Sequence, residues 1–290
     1  MAILVTKTNF LEFLMCPKNI WLKLHKPELM EQFEMSAFEK QLAEQGNEVE
    51  ECAHALFPGG VEVIARGEAG VEETKRLMDA ETPYIFQATF IVEGFMAKVD
   101  VLRRGSDGAW DILEIKGTNS VKEEGADRSH VDDLAFQSSV LRRAGVSVGD
   151  LVLVHLNKEY VRAGDLDIEK LFLLEDMNEK VEARMGEIEE QMAAAREHLV
   201  KDTEPMKGCE CIYKGRSAHC STFAYSNPEV PEYSIHDLAR IGSSKKKLQT
   251  MVERKLFGID EVPADISLTD IQENQAQVYR TGSALWSTIQ

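Results

Sequence analysis

The stretch from Gly94 to Lys116, GFMAKVDVLRRGSDGAWDILEIK, constrains this chain more than any other. Two apolar runs flank a polar, Gly-containing segment at Arg104 to Ala109, the pattern of two strands joined by a turn. Side chains alternate faces along a strand, so Met96, Lys98, Asp100 and Leu102 are expected to share one face of the first. Trp110, Ile112, Glu114 and Lys116 share a face of the second, with Leu113 and Ile115 pointing away. Asp100, Glu114 and Lys116 are therefore expected to meet on one surface of a hairpin. Two carboxylates and an ammonium are costly to bury unless they bind something. Paired carboxylates usually hold a divalent cation, and oxygen donors suit Mg²⁺ or Mn²⁺. The competing reading is that Glu-x-Lys is incidental, a solvated pair or an edge-strand charge, as most such triplets are.

Composition limits the function. The chain has 290 residues, 43% of them hydrophobic, enough for one large domain or two modest ones. A formal net charge of -17 argues against a broadly basic surface coating nucleic acid, which needs clustered Lys and Arg. It leaves room for a local basic groove around an acidic metal site, because the ion itself supplies positive charge. No run approaches the roughly 18 apolar residues of a membrane span. MAILVTKTNF also lacks the apolar core of a signal peptide. A cytoplasmic protein without membrane partners is expected, its five cysteines reduced and serving as ligands or core residues.

Along the chain, a short helix opens at Thr8-Asn9-Phe10 and Cys16-Pro17 interrupts it, with Pro17 suited to the first turn of a second helix. Ser36 to Phe57 reads as a helix with a Ser36–Glu39 capping box and an apolar face of Leu42, Val49, Ala53 and Leu56. Glu50 lies on a neighbouring stripe with Gly46, Ala53 and Phe57, and His54 follows one turn later. Val61 to Ala65 is a candidate short strand, Gly70 to Leu77 a short helix, and Tyr84 to Val92 a strand leading into the hairpin. Asp127 to Ala144 is the next helix, ended by Gly145. Gln137 lies beside its inward residues Leu134 and Leu141 and needs partners for its amide. His130, Asp132 and Asp133 suit capping and dipole-complementing roles. LVLVHL after Asp150 is a buried strand reached by a parallel crossover, with His155 as a core histidine. Asp176 to Lys201 is a long amphipathic helix. Ile235 to Phe257 and Thr269 to Tyr279 are further helices, and Lys245-Lys246-Lys247 with Arg254 and Lys255 is the one basic cluster, a solvated face or a phosphate contact.

Three cysteines, Cys209, Cys211 and Cys220, gather in a polar loop beside His219. With Cys16 they make four, the number for a [4Fe–4S] cluster or a structural zinc. Cys52, mid-helix, is assigned to core packing.

Aspartate at a strand end followed by Glu-x-Lys on the next strand resembles the PD-(D/E)XK nuclease motif. The order helix, three strands, helix, strand from Thr8 to Leu156 matches that superfamily's αβββαβ core. The segments WDILEIKGTNSVK, DDLAFQSSVLRRAG and LVHLNKEYVRAG look like an uncharacterised bacterial family related to RecB and to the CRISPR-associated RecB-like exonucleases. The resemblance implies an α/β, restriction-endonuclease-like fold: a nuclease-like domain over residues 1–205, with its core at about 36–160, and a cysteine-bound helical extension over 206–290. It implies Asp100, Glu114, Ile115 and, on the preceding helix, Glu50 as the metal-binding set, with His54 as the competitor for the helix position. Lys116 would orient or activate the attacking water, and Gln137 would be an accessory residue. Cys16 with Cys209, Cys211 and Cys220 would then bind the iron–sulfur cluster of the cluster-bearing members. The Cys209-x-Cys211 spacing is tighter than theirs and Ser226 stands where a cysteine is expected, which keeps zinc open. The implied activity is a Mg²⁺- or Mn²⁺-dependent DNA nuclease, an exonuclease of repair, recombination or defence acting on single- or double-stranded DNA. The alternative is an inactive nucleic-acid-binding or scaffolding module on the same fold. Protein partners or an oligomer stay open.

Overall fold

The computed structural model describes residues 3–30, 37–122, 129–206 and 208–282. In chain order the regular elements are β1 (Val5–Thr6), α1 (Lys7–Met15), α2 (Pro17–His25), α3 (Ala37–His54), β2 (Val61–Glu62), α4 (Glu68–Asp79), β3 (Tyr84–Val92), β4 (Phe95–Arg104), β5 (Trp110–Lys116), α5 (His130–Arg143), β6 (Val148–Leu156), α6 (Ile168–Leu171), β7 (Phe172–Asp176), α7 (Asn178–Leu199), α8 (Phe223–Ser226), α9 (Lys245–Glu253) and α10 (Asp270–Thr281). They fall into two compact units, one within residues 1–15 and 34–201, the other within 16–33 and 202–290.

The first unit is a mixed α/β structure around one sheet of order β2-β3-β4-β5-β6-β7, with β1 added beside β4. Glu93 and Gly94, both left-handed (φ 51° and 83°), turn β3 into β4, the geometry that matches strand twist in a tight hairpin. β5 pairs antiparallel with β4, and α5 carries the chain over to β6, which lies parallel to β5. On one face, Ala53 and Phe57 after α3 pack with Val101, Leu113, Ile115 and Val154. On the other face, α5 is buried from His130 to Leu141, and Phe10 of α1 stacks on its Phe136 with ring centroids 5.1 Å apart.

Strict alternation along β4 does not hold. Phe95 meets Phe136 of α5, yet Val101, an even number of residues further on, packs with the α3 side. The break coincides with Gln87 on β3, whose backbone is left-handed (φ 57°) between the pairs Phe86↔Val101 and Ala88↔Val99. Met96, Lys98, Asp100 and Leu102 therefore do not share a single face as the period-2 pattern predicts.

β4 is also shared between two neighbours on one side. Its second half, Val101 to Arg104, pairs with β5, whereas its first residues, Phe95 and Met96, pair with Val5 and Thr6 of β1. Between these stretches β4 and β5 part. The fork holds the residues discussed below.

The Ser36–Glu39 capping box and a helix start at Asp127 lie outside the described residues. The described part of α5 begins at His130, and Ser129 Oγ caps it by accepting the Asp132 N–H at 3.2 Å. Leu42, expected on the inward face of α3, is instead 57% exposed. In the second unit, the helix expected over Ile235 to Phe257 is broken: short 3₁₀ turns at Ile235–Asp237 and Ile241–Ser243 precede α9, with Arg240 left-handed between them (φ 55°). Ile235, Leu248, Met251 and Ile259 form the core of that unit, together with Ala276 of α10. Among the described residues, no helix is long and apolar enough to cross a membrane.

Candidate active site and cysteine centre

At the fork, the antiparallel ladder stops at Val101↔Leu113, and the Asp100 side chain takes over: its Oδ2 accepts the Ile115 N–H at 2.9 Å. Glu114, on the α5 side of β5, is 1% exposed. Its Oε2 accepts from Gln137 Nε2 at 2.7 Å, and its Oε1 accepts from two ammoniums, Lys116 and Lys7, the latter at 2.8 Å. Gln137 Nε2 also lies 2.9 Å from Asp133 Oδ1, and Lys116 and Lys7 reach Asp133 at 2.8 and 3.0 Å. The fork thus gathers Asp100, Glu114, Lys116 and Gln137 with Lys7, which pattern reading does not single out, and Asp133, to which it gives a different role.

Asp133 was read as a helix-dipole residue. Its other role had one local signal, the four-residue spacing that puts it on the Gln137 face of α5. Lys7 had none, because its place depends on β1 pairing with a strand far along the chain.

The electrostatics follow from burial and sign. Burial, then the neighbouring Glu114 charge, pushes the Asp100 carboxyl up to about 8. Burial works against the Glu114 carboxylate too, but the Lys116 and Lys7 ammoniums outweigh it and hold the group well below the usual range. Lys116 and Lys7 are likewise opposed by burial and kept charged by Glu114 and Asp133. Lys116 is therefore a fixed cation and hydrogen-bond donor, unsuited to taking up a proton.

Glu50 stands apart from this cluster. Its Oε1 accepts from Gln87 Nε2, the side chain at the left-handed position on β3, and it reaches Asp100 through its charge. His54 stacks on Phe86 with centroids 3.9 Å apart and leaves its Nε2 3.9 Å from Glu50. His155 lies in the core, 3.4 Å from Glu175.

These residues fit a hard divalent cation by chemistry. The donors are all oxygens, and Asp100 Oδ1 has no hydrogen-bond partner among the described residues, nor has the buried Gln137 Oε1. They do not close into one tight shell: Glu50, Asp100 and Glu114 are not among side chains whose donor atoms all lie within 4.8 Å of one another. A cleft of about 630 Å³ opens beside the fork, lined by Lys7, Leu42, Gly46, Lys116, His130 and Asp133 among others. The exposed Leu42 faces this cleft rather than the core.

In the second unit, Cys16, at the head of α2, lies with Cys209, Cys211 and Cys220, the four sulfurs within 4.8 Å of one another. Cys209 Sγ is 3.3 Å from Cys16 Sγ and 3.4 Å from Cys220 Sγ. Contact among them drives Cys16 and Cys211 towards thiolate and Cys209 and Cys220 towards thiol. The splitting comes from hydrogen bonds between the sulfurs, a thiol donating to a neighbouring thiolate; four thiolates this close would repel unless a cation lay among them. Asn19 of α2 braces the site: its Oδ1 accepts from the Thr222 N–H, the Thr222 hydroxyl at 2.9 Å and the Ser221 hydroxyl. His219 stacks on Phe223 and its Nε2 meets the Lys214 carbonyl at 3.0 Å. Of the basic cluster, Lys247 donates to Gln272 and Arg254 pairs with Asp265.

No protein-family model matches this chain, and no curated protein is similar to it. Among solved structures, it is similar to an alkaline exonuclease (LHK-Exo) from Laribacter hongkongensis: 13% identity over 68% of this chain and 91% of that one, with a TM-score of 0.34. The same exonuclease in complex with dAMP matches at 15% identity over 67% of this chain and 90% of that one, with a TM-score of 0.32.

Proposed function

We propose that the chain is a divalent-metal-dependent DNA nuclease of the RecB-like branch of the PD-(D/E)XK enzymes, working as an exonuclease in repair, recombination or defence. The observation that supports it most is the meeting of Asp100, Glu114, Lys116 and Gln137 at the fork of β4 and β5, beside an open cleft. Asp100, Glu114 and the carbonyl oxygen of Ile115 would hold the ion, with Glu50 reaching it from α3. A divalent cation there supplies Lewis-acid stabilisation of phosphate charge and lowers the pKa of bound water.

The chain's own residues do the rest. Lys116, held protonated, donates to a water or a phosphate oxygen and fixes its direction. Gln137 donates to Glu114 and Asp133 together, so both carboxylates keep the orientation that Lys116 needs. His130 and Leu42 line the route by which a DNA strand reaches the fork.

In the cysteine centre, sulfurs all within 4.8 Å suit one tetrahedral zinc ion. A four-iron cluster interposes iron and sulfide atoms between its cysteines and needs them further apart. The role assigned to that centre is structural.

One observation favours a second reading, a nucleic-acid-binding module without chemistry: both oxygens of Glu114 are already engaged by protein donors. Cleavage of labelled linear and circular DNA, with Mn²⁺, Mg²⁺ or EDTA, separates the two. Wild type is expected to cut linear DNA with metal and to spare circles. Lys116→Ala is expected to lose about 100-fold or more, the typical effect of removing one charge-stabilising donor. Equal inertness of both proteins on every substrate would leave the binding module standing.

A further inference from the structure

Lys7 has no part in the chemistry above, yet it is as deeply tied into the fork as Lys116. β1 pairs with the first residues of β4, and Lys7 follows at once as the first residue of α1, so the chain delivers its ammonium to where β4 and β5 part. A lysine in the first turn of a helix is badly placed, since the helix dipole presents positive charge there. Glu114 at 2.8 Å and Asp133 at 3.0 Å offset that cost.

Lys116 contacts the same two carboxylates, so two ammoniums and two carboxylates alternate in a closed ring. Glu114 Oε1 is shared by both ammoniums, and Oε2 is taken by Gln137. Asp133 Oδ1 serves Lys7 and Gln137, and Oδ2 serves Lys116. What remains without an ammonium partner are the carboxyls of Asp100 and Glu50, whose two charges one divalent ion balances once it replaces the proton on Asp100.

Resting on the nuclease reading above, we propose that Lys7 is a built-in cation occupying the place of a second metal, so that this centre binds one divalent ion rather than two. Its side chain, 20% exposed, also lines the cleft, where an ammonium meets a phosphate oxygen. Removing it takes away one positive charge and leaves Lys116 as the one ammonium on Glu114 Oε1, so that a second ion can take the vacated place between Glu114 and Asp133.

The test is the stoichiometry of Mn²⁺ binding to the full chain, followed by calorimetry and by the loss of the free-ion electron paramagnetic resonance signal. Asp100→Asn serves as the baseline for ions bound elsewhere. Above that baseline, wild type is expected to bind one ion and Lys7→Gln two. Lys7→Arg, which keeps the charge, is expected to bind one, and Lys7→Met, which keeps the length of the side chain without its charge, is expected to bind two and covers the case in which Lys7→Gln fails to fold. Two ions in wild type, both lost in Asp100→Asn, would overturn the role of Lys7 and leave the metal centre intact. Unchanged stoichiometry in Lys7→Gln would do the same. No ion in wild type above the baseline would overturn the metal centre itself, and this inference with it.

Discussion

His130 shows how one residue can be fixed by a single hydrogen bond. Its Nδ1 accepts the Lys122 N–H at 3.1 Å, so the neutral ring carries its proton on Nε2, and the His130 backbone N–H donates to the Lys122 carbonyl at 3.0 Å. Burial, then the Lys116 charge, pushes it down to about 4. An unfolded histidine titrates near 6.5. Between those values the unfolded chain binds the extra proton and the folded one does not, so stability is full above about 6.5 and falls as pH drops towards 4. His130→Asn keeps an acceptor without titrating. Urea midpoints measured from pH 7 to 4 should therefore fall less steeply for the variant. Parallel curves would mean that His130 contributes nothing to acid sensitivity. The same residue marks a limit of pattern reading: near a helix start it suited a capping role, whereas Ser129 is the cap, Asp132 pairs with Arg184 on α7 and Asp133 belongs to the fork.

Among elements, those with dense apolar alternation were legible. The strand expected over Tyr84 to Val92 is β3 to the residue, and β5 ends at Lys116 as the hairpin pattern requires. β1 is two residues long, too short to carry a period, so it went unseen and Lys7 with it, whereas the equally short β2 lies in the longer apolar run from Val61 to Ala65. The break in alternation at Gln87 was equally hidden, because a left-handed glutamine leaves no mark in composition. The helix expected over Ile235 to Phe257 is divided, because Gly242-Ser243-Ser244 and the Ser234 cap break it ahead of α9. Helix α1 holds Lys7 in place chiefly through Phe10, fully buried and stacked on Phe136. Phe10→Ala should cost about 3–5 kcal/mol, the usual cost of a buried ring replaced by a cavity. Chemical denaturation measures it, and a loss below about 1 kcal/mol would show that something other than this stack anchors α1.

At the scale of the molecule, the two units rest on different physics. The first buries a sheet between helices. The second sets a modest apolar core beside four cysteines, and the metal proposed for them would add to its stability. Cys211→Ser should therefore raise amide exchange across residues 202–282 while β3 to β6 keep their protection. Elemental analysis of wild type should return one zinc per chain and no visible absorption band of an iron–sulfur cluster. Unchanged exchange in the variant would reduce the cysteines to ordinary core residues. That Cys209, Cys211 and Cys220 gather was legible from the loop they share; that Cys16 joins them was legible only from the count of four that a metal site needs.

Lys7 and Glu114 are 107 positions apart, and Gln137 is a further 23 along. During synthesis the earlier residues leave the ribosome well before their partners exist. A nascent chain that has not yet reached Gln137 carries the strands of the fork without the side chain that orients Glu114. Closing so long a loop is slow compared with forming local helices and hairpins. Translation order therefore keeps the growing polypeptide from assembling its complete carboxylate–ammonium ring until the crossover helix has emerged.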